Sequence, residues 1–162
     1  MNHEPTNAER AEKGDRVAAL FIEQAAGAGT DLTAEHRADL GRRMVEEYNG
    51  GPVAEGDAPM ILAGMIADLY HYADGTVSPG AMLGAALMEL SATVNTLPVL
   101  CALGEEGRPG ILACALAAAI AYGETVGACP AEITDHAYLH WSDEVEEERF
   151  MRVRAERQRH GA

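Results

Sequence analysis

The sequence predicts an all-α fold, a single-domain bundle of five to seven helices around a central apolar helix. The first observation behind this is that residues 110–122 (GILACALAAAIAY) carry no charge, and Pro109 stands immediately before them. A helix apolar on every side must be wrapped by other elements, whereas a bilayer span needs about 18 or more such residues. The second is composition: Ala, Leu, Met and Gly dominate, while two Phe, one Trp and five Tyr are too few for a β-sandwich core. The third is punctuation, since Pro, Gly and cap residues cut the chain into helix-length pieces.

Taken in order, the pieces justify themselves locally. A first helix is expected over residues 7–26, with Val17, Leu20, Phe21 and Ala25 on one face and Gly27 and Gly29 ending it. Thr33 can cap a second helix that runs through Leu40, Met44 and Val45 to the stop at Asn49-Gly50-Gly51-Pro52. The linker GGPVAEGDAP follows as a loop, and Asp57 with Pro59 opens a third helix. There Ile61, Met65, Leu69 and Tyr72 form an apolar stripe that Leu62, Ile66, Tyr70 and Ala73 widen. Gly64, Asp68, His71 and Gly75 are left on the opposite, polar side.

Ser78-Pro79 starts a fourth helix, along which Leu83, Leu87, Leu90, Val94 and Leu97 alternate in steps of four and three, a heptad-like seam. Pro98 ends or kinks it, a short turn of helix follows, and residues 105–110 form a turn before the central helix, which is expected to reach about Val126. After the break at residues 127–130, a last helix is expected from near Ala131, re-capped at Ser142 and ending in a charged tail. The chain is read as one domain over residues 1–162, with 1–6 disordered and 143–162 the helical tail.

Charge narrows the function classes. The net charge is −14, and residues 50–142 hold ten acidic residues against Arg108 alone, which disfavours direct binding to nucleic acid phosphates. These carboxylates either keep a small domain in solution or meet a basic partner. Eleven of the twelve basic residues are Arg, which with the high Ala and Gly suggests a GC-rich genome. No apolar segment resembling a signal peptide opens the chain, so a cytoplasmic location without membrane attachment is expected. Cys101, Cys114 and Cys129 show no C-x-x-C spacing and are not a disulfide framework; Cys114 and Cys101 read as buried hydrophobes, and Cys129 lies before Pro130 at a helix start.

Two constellations carry candidate chemistry. His136 and His140 are four residues apart, on one side of a helix, with Asp143 or Glu144 a turn later, so they could hold a divalent metal. The zincin pattern is absent, because Ala137 stands where the general base belongs. Asp68, His71 and Asp74 fall at spacings of three; they read as a surface ion pair or as donors to a metal shared with His136 and His140. Asp68-x-x-His71 is one imperfect copy of the ferritin-like Glu-x-x-His motif, with no second copy. Glu89 and Glu124, in otherwise apolar helices, are expected at the surface.

The tail begins acidic (DEVEEE) and finishes basic, which complements the helix dipole. It reads as a solvated helix, or as an arm whose Phe150, Met151 and Val153 dock on a partner or on a second copy.

Residues 61–75 (ILAGMIADLYHYADG), with the core I-x-D-L-x-H-x-x-D from Ile66 to Asp74, resemble uncharacterised small helical proteins of actinobacteria and their phages. The resemblance implies helicity and provenance and no activity. With no nucleophile paired to a base, the expected function is a noncatalytic helical interaction or regulatory protein with an acidic surface, phage- or plasmid-related, without a cofactor. The alternatives are a metal-dependent enzyme using Asp68, His71, His136 and His140, and an acidic inhibitor that mimics DNA.

Overall fold

A computed structural model describes residues 5–26 and 32–160 and is an all-α bundle: α1 (Asn7–Ala25), α2 (Ala34–Asn49), α3 (Ala58–Ala73), α4 (Pro79–Leu90), α5 (Leu97–Ala102), α6 (Arg108–Thr125) and α7 (Pro130–His160). A single 3-10 turn, Gly104–Gly107, joins α5 to α6. Every residue from Ile111 to Gly123 is buried, and α6 touches all six other helices, so the apolar run is the axis of the bundle as its composition requires. No helix among the described residues is long and apolar enough to cross a membrane.

Local chemistry explains most helix ends. Thr6 and Glu9 form a reciprocal capping box at the start of α1: the Glu9 amide donates to the Thr6 hydroxyl and the Thr6 amide donates to the Glu9 carboxylate at 2.7 Å. Residues 1–4 of the segment expected to be disordered lie outside the described residues, as do Gly27 and Gly29. Thr33 and Ser78 cap α2 and α4 through their side chains. Asp57 occupies the N-cap position of α3 in helical geometry and makes no capping bond; Pro59 in the first turn sets that start instead. α4 stops with help from afar: the buried guanidinium of Arg37 on α2 donates to the carbonyls of Leu90 and Ala92, at 3.2 and 2.8 Å.

Three expectations are corrected here. The heptad seam is not one helix: α4 ends at Leu90, Leu87 and Val94 are exposed, and Leu97 belongs to α5. The leucine periodicity runs on by coincidence through a connection that carries no helix. α7 is not re-capped at Ser142, whose hydroxyl donates back to the Leu139 carbonyl within one unbroken helix. Cys101 is exposed, because α5 is only six residues long and buries Leu97 alone.

α3 lies between α1 and α7 and also touches α2 and α6, so most of its circumference is covered. Its contact with α1 depends on Gly14, where a Cβ would collide with the Asp68 carbonyl oxygen and sit 2.7 Å from the Tyr72 Cβ. Gly41 serves the α2–α6 contact in the same way, against the Ala118 carbonyl.

Candidate functional site

The close approach at Gly14 brings one turn of α1 against the middle of α3, and a buried polar cluster grows around that point. Asp68 and His71 are one helical turn apart on α3, and only 1% and 6% of their surfaces are exposed. The predicted surface ion pair is not formed among the described residues: both side chains are interior, because with α1, α2, α6 and α7 around it α3 has little polar face to present to water, and each meets partners from other helices instead. α2 contributes Tyr48, whose hydroxyl donates to Asp68 Oδ2 at 2.7 Å. α7 contributes Glu144, whose Oε2 lies 2.8 Å from His71 Nε2. α1 contributes Arg10, which pairs with Glu144 Oε1 at 2.7 Å and faces Asp68 Oδ1 across 3.9 Å.

Five side chains from four helices thus form one connected chain, Tyr48–Asp68–Arg10–Glu144–His71. Asp68 Oδ1 and Arg10 Nε are buried and have no hydrogen-bond partner among the described residues. Burial pushes the Asp68 carboxyl above its ordinary value, against the opposing pull of the Tyr48 hydrogen bond and of Lys13, Arg10 and His71. Burial likewise raises the Tyr48 phenol, and its bond to Asp68 adds to the effect, so the phenol keeps its proton and serves as donor. Neither Ser nor Cys takes part. The cluster holds protons and ties helices together, and its chemistry is that of a clasp.

Shallow grooves flank the clasp. One is lined by Lys13, Arg16, Val17, Leu20, Glu47 and Tyr48. Another, on the α7 side, includes Asn7, His71, Asp74, Glu148, Arg149 and Arg152.

The other predicted donors lie elsewhere. His136, His140 and Asp143 are exposed on α7, and Asp74 is exposed at the end of α3. His71 turns its Nε2 to Glu144, so the histidines of α7 are not gathered with Asp68 and His71; among the described residues no group of three or more His, Cys, Asp or Glu is placed to hold a metal ion. Cys114 is buried as expected, and desolvation first, then Glu89, pushes its thiol up to about 12. Cys129 is exposed before α7, Glu124 is exposed, and Glu89 is half-buried.

α7 divides into two parts. Ile133, Thr134 and Ala137 are buried against the bundle, Trp141 meets Tyr70 edge to face at 6.4 Å, and Glu144 closes the clasp. Beyond Val145 the helix runs on with mostly exposed side chains, and there Phe150, Met151 and Val153 are 67%, 55% and 40% exposed. Residue spacing indicated that Asp68 and His71 lie one turn apart on α3. It gave no sign of Arg10 and Tyr48 as their partners, because both come from other helices and no motif links them. For Glu144 the spacing points only to His140, one turn before it.

The fold and site define a class, an all-α helical bundle with a buried polar clasp and a long last helix whose outer half is mostly exposed. Comparison with family models, with curated proteins and with solved structures finds no match.

Proposed function

We propose that this chain is a noncatalytic helical interaction protein and that the outer part of α7 is its docking element. The observation that carries the reading is the exposure of Phe150, Met151 and Val153 on a helix whose first half is firmly seated, with Phe150 and Val153 three residues apart on one side. Large apolar side chains are scattered singly over most surfaces, whereas two neighbouring ones on the outer side of an exposed helix match the way amphipathic helices engage a groove or another helix. The clasp supports this reading by giving the arm a fixed root, since Glu144 is held by both α1 and α3. The acidic central region favours a protein over a nucleic acid as the partner.

A photo-crosslinking amino acid placed at Phe150 in cells tests the reading, with the exposed Glu124 position as control. Adducts are expected from position 150 and not from position 124. Absence of adducts from position 150, or the same pattern from both positions, overturns it.

A further inference from the structure

The arrangement of charge along the arm names its partner. Asp143 lies seven residues before Phe150 and Glu146 four before it; Arg154 lies four after and Arg157 seven after. Steps of four and seven return to the same side of an α-helix, so the five residues make one stripe: acidic at one end, aromatic in the middle, basic at the other. The stripe is on the outer side of α7, away from the buried Ile133 and Ala137, and the exposed Leu139 lies on that same side. A shallow groove there is lined by Phe150, Val153, Arg154, Arg157 and Gln158. Among the described residues, none of the four charged members has an ion pair within the chain, while neighbouring Glu148 and Arg152 pair with each other.

We propose that the stripe is a self-complementary surface on which a second copy of this chain docks antiparallel, with the two-fold axis at Phe150. The inference rests on the reading of α7 as a docking arm and supplies the occupant. About such an axis, residues equally far from Phe150 on either side face each other. Asp143 then meets Arg157 of the second copy and Glu146 meets Arg154 of the second copy; symmetry repeats both pairs, and the two Phe150 rings meet at the centre. A parallel pairing sets acid against acid and Arg against Arg, so the same charges that favour one orientation exclude the other. The overlap between residues 143 and 157 runs for roughly 21 Å of helix. Complementing the helix dipole requires only acid early and base late; it does not require matched offsets on one side of the helix.

The test uses light scattering and sedimentation equilibrium on the full chain at low salt, with two variants, Asp143→Arg/Glu146→Arg and Arg154→Glu/Arg157→Glu. Wild type is expected to dimerise, each variant alone to self-associate about tenfold or more weakly, and their equimolar mixture to recover wild-type affinity, because all four pairs become attractive again. Both variants keep a net negative charge, so nonspecific attraction does not produce that recovery. Helical circular dichroism equal to wild type shows that each variant is folded. A monomeric wild type, variants that associate as wild type does, or a mixture that fails to recover overturns the proposal. If position 150 then crosslinks only to a different protein, the docking-arm reading stands without self-pairing; if it crosslinks to nothing, both fall.

Discussion

Asp68 concentrates what is unusual about this interior. A carboxyl with 1% of its surface exposed, and with one oxygen lacking a hydrogen bond among the described residues, is held above its normal pKa by burial, despite the cations near it. The fold therefore favours its neutral form. The stability it contributes is complete below pH 3.8 and is lost as the pH rises through the elevated native value. Asp68→Asn keeps an acceptor for the Tyr48 hydroxyl and removes the titration. Compared with this variant, wild type is expected to lose stability as pH rises from about 4 toward neutrality. Urea unfolding midpoints of the two proteins across that range check this, and a constant difference contradicts it. The sequence showed Asp68 and His71 in register but placed them on a solvated face. Residue type alone favours that placement, because unpaired carboxylates are seldom buried, and the partners that reverse it come from Arg10 and Tyr48, far away in the chain.

At the scale of helices, the bundle is set by where backbones can approach. Gly14 lets α1 reach α3 and Gly41 lets α2 reach α6, and each faces a carbonyl oxygen that cannot swing aside as a flexible side chain can. Gly14→Ala is expected to destabilise the protein by about 3 kcal/mol, beyond the gain that Ala normally brings to a helix interior. Thermal unfolding checks this, and a rise in Tm contradicts it. Such contacts were not legible in the sequence, where a glycine inside a helix only weakens the expectation of a helix. What was legible is what local chemistry decides: the Thr33 and Ser78 caps, the stop at Gly50, and the burial of residues 111–123. The leucine seam misled because a repeat of four and three says nothing about whether the backbone stays helical between its members. The stretch from Ser91 to Thr96 leaves the helix with Val94 exposed, and of the five seam residues only Leu97 is buried.

For the whole molecule, α7 both closes the bundle and extends past it. Glu144 is the one residue of α7 in the clasp, and it meets Arg10 and His71 together. Glu144→Ala leaves a guanidinium and a nearly buried imidazole without their acceptor, and a loss of about 2 kcal/mol is expected. Urea denaturation measures it, and a change below about 0.5 kcal/mol, the usual range for surface substitutions, contradicts it. The unbroken length of α7 was not legible because its exposed half has charged residues where a packed helix would show apolar periodicity, so Ser142 read as a boundary.

The clasp also sets a schedule for synthesis. Arg10 and Asp68 leave the ribosome long before Glu144 does, and chains begin to fold from the N-terminal side as they are made. Until residue 144 emerges, α1 and α3 can pack at Gly14, yet the guanidinium and His71 have no carboxylate from α7 to meet. A nascent chain halted short of that point holds an open seam beside its most polar interior residues, and completing α7 is the event that seals it.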